Sequence, residues 1–96
     1  MTALMIFVDA DRARDVERLL EARDLPGYTE IPDVLGKGRT GRKLGTRAFP
    51  GSTTLYFTVA PRLEGEGLVA ALRELRDSRG PAEGLKVYAF NSEELL

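Results

Sequence analysis

The sequence predicts an α+β domain of the ferredoxin-like class, in which four antiparallel strands carry two helices on one face. Short apolar stretches typical of strands alternate with two stretches of helical periodicity, in the order β-α-β-β-α-β. The chain has 96 residues, of which 43% are hydrophobic and 30% charged, which is the size and composition of one compact unit. We therefore expect residues 1–96 to form a single domain.

The first strand and helix are predicted from the start of the chain. Residues Ala3 to Val8 are apolar and precede Asp9 and Asp11, which indicates a buried strand that leads into a helix N-cap. An amphipathic helix is predicted from Arg12 to Leu25, where Pro26 and Gly27 end it. Its apolar positions are Ala13, Val16, Leu19 and Leu20.

The second strand is predicted from Tyr28 to Leu35, and Pro32 indicates that it lies at the edge of the sheet or contains a bulge. The segment Gly36 to Arg47 follows, with four glycines in twelve residues and almost nothing apolar to bury. It predicts a long loop that is mobile without a ligand, and loops of this length in compact domains usually carry function.

The second half of the chain repeats the pattern with a strand, a helix and a strand. Alternation predicts a strand from Ser52 to Ala60, which Pro61 ends. A helix is predicted from Glu64 to Arg79, with acidic residues early and arginines late, as the helix dipole favours. The last strand is predicted from Leu85 to Phe90.

Alternation also predicts which side chains of the sheet contact the helices. These are Leu4, Ile6, Val8, Leu55, Phe57, Val59, Leu85, Val87 and Ala89. Met5, Phe7, Tyr56, Tyr88 and Phe90 would then lie on the other face, which is too apolar to remain in water. Because a chain of this size has a thin core, we expect other subunits to cover that face.

Positive charge is concentrated in the middle of the chain. The formal net charge is −1, but residues 34–63 contain six basic residues and no acid, so the remaining residues carry −7. Such a segment attracts phosphates, nucleic acid or an acidic protein surface.

The composition excludes several classes of function. Cys and His are absent, which removes disulfides, Cys/His zinc sites, thiol and Ser-His nucleophiles and imidazole bases. No apolar run is long enough to cross a membrane and no signal peptide is visible, so we expect a cytoplasmic protein. The acidic pairs Asp9/Asp11, Glu64/Glu66 and Glu93/Glu94 lie where capping and solvation explain them, so an enzyme is not expected.

The glycine-rich segment matches nucleotide-binding motifs only in part. Gly36 to Gly41 has the spacing G-x-G-x-x-G, but no helix is predicted after it, and Arg42 and Lys43 stand where a Walker motif needs Lys-Ser/Thr. Glycines still allow backbone amides to approach an anion, beside Lys37 and Arg39. The alternative reading is a solvated loop.

Three further readings depend on single features. Aromatic residues on an open sheet face beside a basic loop suggest RNA stacking, although the motif of RNA-recognition domains is missing, so a nucleic-acid-binding module is the rival interpretation. An acylphosphatase-like enzyme is disfavoured because no anion loop follows the first strand. Lys86, in an alternating apolar strand, is read either as an edge lysine or as a phosphate contact.

The sequence resembles the PII signal-transduction family and its PII-like relatives over nearly the whole chain. The segments that carry the resemblance are residues 27–29, which open the second strand, residues 34–39, which close it, residues 59–61, and a Gly-rich turn before the last strand. The resemblance implies a non-enzymatic signalling trimer whose sheets face inward. It also implies a flexible T-loop at about residues 37–50 that docks on a target protein.

The resemblance further implies nucleotide sites in clefts between subunits, where an adenine nucleotide would be the effector and no other cofactor is expected. Thr29 would lie at the adenine end and Gly36, Lys37, Gly38 and Arg39 along the cleft. Gly84 and Lys86 would belong to a second phosphate-binding turn, and Arg42, Lys43 and Arg47 to the partner-binding loop.

The chain departs from the PII pattern at three places. The turn before the last strand keeps Lys86 but has fewer glycines, and the loop is shorter and has no tyrosine to uridylylate. The sequence ends at Leu96, before the arginine-containing segment that covers the nucleotide in classical members. These departures indicate a divergent PII-like protein rather than a nitrogen regulator proper.

Overall fold

The computed structural model describes residues 1–38, 41–43, 52–78 and 84–96, and these residues form six strands and two α-helices. The elements in chain order are β1 (Thr2–Asp9), α1 (Ala13–Glu21), β2 (Thr29–Val34), β3 (Gly36–Gly38), β4 (Gly41–Lys43), β5 (Thr53–Ala60), α2 (Arg62–Ser78) and β6 (Leu85–Asn91). Among the described residues, neither helix is long and apolar enough to cross a lipid bilayer.

Four of the strands form one antiparallel sheet in the order β2-β5-β1-β6. Both helices pack on one face of this sheet, where Leu4, Ile6 and Val8 of β1 form a core with residues of α1 and α2. The helix residues of that core are Ala13, Val16, Leu20, Leu68 and Leu72. This arrangement confirms the predicted ferredoxin-like class.

The junction between β1 and α1 differs from the prediction. A 3-10 turn, Ala10–Arg12, precedes α1, and neither Asp9 before the turn nor Arg12 before the helix makes a side-chain capping hydrogen bond. The predicted N-cap is therefore wrong. The helix also ends at Glu21 rather than Leu25, because Ala22 and Arg23 already turn the chain towards β2.

Strand β2 is an edge strand with an irregularity, as Pro32 predicts. Its pairing with β5 shifts register between Ile31 and Val34, and Asp33 has a left-handed backbone with φ of 58°. Aspartate tolerates this conformation better than most residues. Both readings of Pro32, an edge position and a bulge, are confirmed.

The predicted inward face of β5 is wrong. The residues of β5 in the core are Thr54, Tyr56, Thr58 and Ala60, while Leu55, Phe57 and Val59 point to the other side of the sheet. The polar side chains of Tyr56 and Thr58 can be buried in this register because their hydroxyl groups make hydrogen bonds. The Tyr56 hydroxyl donates to the carbonyl oxygen of Ala13 at 3.1 Å, and Thr58 Oγ1 donates to that of Gly27 at 2.6 Å.

The sheet face without helices, called here the open face, is consequently more apolar than predicted. The register places on it Met5 and Phe7 of β1, Leu55, Phe57 and Val59 of β5, Ile31 of β2, and Tyr88 and Phe90 of β6. Tyr88 and Phe90 are 56% and 47% exposed, and Tyr88 packs edge-on against Phe7 with ring centroids 6.1 Å apart. An apolar face of this kind normally marks an interface.

The glycine-rich segment contains regular structure that the sequence reading missed. Strands β3 and β4 form a two-stranded antiparallel ladder, with Gly36 opposite Lys43, Lys37 opposite Arg42 and Gly38 opposite Gly41. The expectation of a loop without strands is therefore wrong for these residues. The rest of the predicted T-loop, residues 39–40 and 44–50, lies outside the described residues.

Candidate functional site

One end of the four-stranded sheet collects most of the residues predicted to bind an effector. Backbone hydrogen bonds of 2.9 Å join Asp9, at the end of β1, to Gly84 before β6, and Ala10 to Ser52 before β5. Val34, the last residue of β2, pairs with Thr53 at this same end. The hairpin β3–β4 therefore leaves the sheet at the same end at which β6 begins, but from the opposite edge.

A group of polar residues, called here the polar corner, lies where the open face meets this end of the sheet. It consists of Asp9, Thr53, Gly84 and Lys86. Asp9 pairs with Thr53 across β1 and β5, and Lys86 pairs with Phe7 across β1 and β6. Lys86 is exposed on an edge strand, so its ammonium group needs no burial and is accessible to an anion.

Gly84 and Asp9 are in close contact at this corner. A Cβ atom added at Gly84 would lie 2.7 Å from the carboxyl carbon of Asp9 and closer still to Oδ2. Only glycine leaves this space to the carboxylate. The Asp9 side chain therefore covers the glycine that the family resemblance assigns to a phosphate-binding turn.

The remaining predicted residues fall in three places. Gly36, Lys37 and Gly38 lie on β3, and Arg42 and Lys43 on β4. Arg39 and Arg47 lie outside the described residues. Thr29 begins β2 and pairs with Phe57 near the middle of β5, away from the end of the sheet that carries the polar corner.

Within one chain the two halves of the predicted site do not meet. The hairpin follows β2, while Gly84 and Lys86 belong to β6, and these strands are the two edges of the sheet. Three strand spacings separate the edges, which amounts to roughly 14 Å. A site that contains both halves needs the hairpin of one chain to approach the β6 edge of another.

The start of β2 is held by a network of tyrosines and glutamates. Tyr28 donates a hydrogen bond of 2.5 Å to Glu21 of α1 and contacts the ring of Tyr56 edge-on, with centroids 5.9 Å apart. The Tyr56 hydroxyl also lies 3.3 Å from Glu30 Oε2. These contacts fix the segment before Thr29 against the helix and the sheet.

The network favours the neutral form of both tyrosines. The hydrogen bond to Glu21 raises the pKa of Tyr28 to about 12. Burial, followed by the charge of Glu30, raises the pKa of Tyr56 to about 12. Neither hydroxyl ionises near neutral pH, so the network positions the chain and is not an acid–base pair.

Stability is expected to fall as pH rises from about 10 to about 12. An unfolded tyrosine loses its proton near pH 10, whereas Tyr28 and Tyr56 keep theirs to about 12, so unfolding releases protons in this range. Urea unfolding across this range measures the decline. The double variant Tyr28→Phe, Tyr56→Phe should flatten it, and Tyr88→Phe, which removes an exposed tyrosine, should not. An equal decline in all three proteins would contradict the assignment.

A shallow depression of about 420 Å³ lies away from the polar corner, at the other end of α1. It is lined by Leu19, Ala22, Arg23, Asp24, Leu25 and Glu64. The described residues that line it include none of the predicted binding residues. Among the described residues, no group of three or more carboxylates could hold a metal ion.

Sequence reasoning missed the role of Asp9. It read Asp9 as a helix cap, whereas β1 extends to include it and its carboxylate covers Gly84. The available signal was the alternation of side chains along β1, which places Asp9 on the same face of the sheet as Met5 and Phe7. The contact with Gly84 had no signal, since it joins distant parts of the chain.

Comparison with known structures defines the class of fold. The β2-β5-β1-β6 sheet with two helices on one face is the fold of PII-like proteins, and this confirms, at the level of the fold, the resemblance predicted from the sequence. Models of protein families and curated protein sequences give no match to this chain.

Three solved structures illustrate the likeness. CPII, a nitrogen regulatory PII-like protein from Thiomonas intermedia K12, bound to ADP, AMP and bicarbonate, superposes with a TM-score of 0.75 at 16% identity, over 93% of this chain and 82% of CPII. The apo form of CPII gives a TM-score of 0.69 at 15% identity, over 93% and 85% of the two chains. A DUF3240 family protein from Shewanella baltica OS155 gives 0.72 at 15% identity, over 98% and 91%.

Proposed function

We propose that this chain is a non-enzymatic PII-like regulatory protein of the cytoplasm. It forms a homotrimer through its open face and binds a small anionic effector, an adenine nucleotide, in the clefts between subunits. Effector binding changes the order of the basic segment that begins with the hairpin, and this segment controls a protein partner. The observation that carries the proposal is an apolar open face that ends in the polar corner, at the same end of the sheet from which the hairpin leaves the opposite edge.

The location between subunits is supported by the sheet topology. Lys86 and the hairpin carry positive charge at opposite edges of one sheet, so a single chain presents each half of an anion site without the other. Association through the open face would place the edges of neighbouring sheets close together. The exposed Lys86 of one subunit could then face the basic hairpin of the next.

The hairpin supports a coupling between anion binding and order. Its ladder has three residue pairs, Gly36 with Lys43, Lys37 with Arg42 and Gly38 with Gly41. A two-stranded hairpin is marginally stable by itself. An anion that binds the ordered hairpin more tightly than the disordered one would shift the population towards order.

The fold supports the same assignment. CPII, which shares this fold, has been seen with ADP, AMP and bicarbonate, so adenine nucleotides and bicarbonate are the first ligands to test here. The absence of Cys and His from the sequence removes the commonest catalytic groups and favours a binding protein over an enzyme.

Thermal unfolding with a ligand panel tests the proposed function. AMP, ADP, ATP, bicarbonate, 2-oxoglutarate and a random-sequence oligonucleotide would be compared at equal ionic strength. At one hundred times its Kd, a true effector stabilises the folded state by about 2.7 kcal/mol. Stabilisation by adenine nucleotides supports the proposal. Stabilisation by the oligonucleotide alone, lost as salt is raised, would instead favour a nucleic-acid-binding module.

A further inference from the structure

The depression between the end of α1 and the start of α2, called here the helix-side depression, combines charges of both signs with apolar side chains. The apolar part of its lining is Leu19 and Leu25, which are partly buried and pack against the core. The charged part is Arg23, Asp24 and Glu64, all of which are exposed. Its volume of about 420 Å³ lies within the range typical of small-molecule pockets, about 300–1,000 Å³.

The three charged groups of this depression do not pair with one another. Within the part of the chain that the structure describes, Arg23, Asp24 and Glu64 make no ion pair and no side-chain hydrogen bond. Elsewhere on α1, by contrast, Arg14 pairs with Glu17 at 3.1 Å. The guanidinium group and the two carboxylates therefore line a common space without direct contact between opposite charges.

The structure holds the charged groups of both helices in place. The backbone N–H groups of Ala22 and Arg23 donate to carbonyl oxygens of the last turn of α1 at 3.0 and 3.3 Å, and that of Leu25 donates to the Arg23 carbonyl oxygen at 2.9 Å. The Arg23 guanidinium lies against α2 at Gly67, where an added Cβ atom would be 3.1 Å from Nη1. Glu64 is three residues before Gly67, and hence on the same side of α2.

This combination of groups defines the class of ligand. A simple anion would meet Arg23 together with two carboxylates, and a simple cation would meet the guanidinium group. A molecule that carries a carboxylate and an ammonium group on one carbon atom satisfies both kinds of charge, and guanidinium groups bind carboxylates through two hydrogen bonds. An aliphatic side chain on the same carbon would contact the leucines and remove apolar surface from water.

We propose that the helix-side depression binds a zwitterionic α-amino acid with an aliphatic side chain. Arg23 binds its carboxylate. Asp24 and Glu64 hold its ammonium group. Its side chain lies on Leu19 and Leu25. The depression is formed by the helix layer, on the side of the sheet opposite the open face, so association through the open face leaves this second site accessible.

Amide NMR spectra of the isotope-labelled protein, titrated with L-leucine, test the site. Because the depression is shallow and water screens its charges, we expect a Kd on the order of 1 mM. The signals that shift should belong to residues 19–25 and 64–67, while those of the polar corner stay in place.

Three analogues of leucine test the class of ligand. Isocaproate lacks the ammonium group, isoamylamine lacks the carboxylate, and glycine lacks the aliphatic side chain. Each loses one of the three proposed contacts, so each is expected to bind about tenfold more weakly than leucine. An analogue that binds as tightly as leucine would overturn the assignment.

Two variants with matched controls test the residues. Arg23→Gln should weaken leucine binding about tenfold, and Glu64→Gln about threefold, because Asp24 still faces the ammonium group. Arg73→Gln and Glu74→Gln make the same charge changes at exposed positions of α2 outside the depression, and should leave the affinity unchanged. Equal affinities in all four variants would place the leucine site elsewhere.

The outcomes are independent of nucleotide binding. If L-leucine in millimolar excess shifts no signal, or shifts only signals outside the depression, the inference is overturned and the proposed function stands. If adenine nucleotides fail to bind while L-leucine shifts the signals of the depression, the proposed function is overturned and the inference stands.

Discussion

Light scattering of the purified protein is expected to give a mass about three times the 10.6 kDa of one chain. The physical reason is the apolar open face. On it, the exposed Tyr88 and Phe90 of β6 lie beside half-buried apolar side chains of β1 and β5. Full burial of each large apolar side chain contributes about 1.5–3 kcal/mol, so a symmetric association that covers this face is strongly favoured. A monomer at micromolar concentration, or a dimer, would contradict the proposed trimer.

Phe57→Glu should abolish this association. Phe57 lies near the middle of β5, where its register partners Met5 and Thr29 surround it on the open face, so a glutamate there would have to lose its water in any assembled form. We expect a folded monomer with intact helical circular dichroism. Leu63→Glu introduces the same charge on α2, at a side chain already 76% exposed, and should leave the mass unchanged. An unchanged mass for Phe57→Glu would show that the chains associate elsewhere.

Lys86→Ala is expected to weaken effector binding by about ten- to a hundredfold. Removal of a hydrogen bond to a charged group typically costs about 1.5–3 kcal/mol, and Lys86 is the exposed cation of the polar corner. Arg39→Ala, at a position outside the described residues, is expected to have a similar effect from the hairpin side. Calorimetric titration with ADP measures both changes, and light scattering checks that the variants keep the mass of the wild type.

Glu93→Ala provides the control for these two variants. Glu93 is exposed in the tail that follows β6, away from the predicted contacts, so its removal should leave affinity unchanged. Unchanged affinity in both cation variants, or an equal loss in Glu93→Ala, would show that the site is elsewhere. The likeness to PII-like proteins would then be one of fold without a common binding site.

The class of fold was predictable because both helices and the four strands of the main sheet leave a local trace in the sequence. Helical spacing marks α1 through Val16 and Leu20, which are both buried, and Pro32 marks the irregular edge strand. The face that β5 turns inward was not predictable, because this strand is apolar on both sides. Hydrogen bonds from Tyr56 and Thr58 to distant carbonyl oxygens decide the register, and such partners are visible only once the chain is folded.

The candidate site was predictable only as a list of residues. Glycines and cations at positions 36–43 and 84–86 indicated an affinity for anions, but their separation across the sheet depends on the strand order β2-β5-β1-β6. The contact between Asp9 and Gly84 joins residues 75 positions apart and left no local signal. Arrangement in space, rather than residue type, is what sequence reasoning lacked here.

The irregularity of β2 also limits how copies of this chain can associate. A sheet with two regular edges can extend from molecule to molecule without end, which is the geometry of fibres. In this sheet one edge is interrupted by Pro32, which has no N–H to donate, and by the left-handed Asp33, so that edge is a poor template for a neighbouring strand. Of the two edges of this four-stranded sheet, only the β6 edge offers a regular ladder, and pairing of two such edges ends after two chains. Growth into a continuous sheet by edge-to-edge pairing is therefore disfavoured.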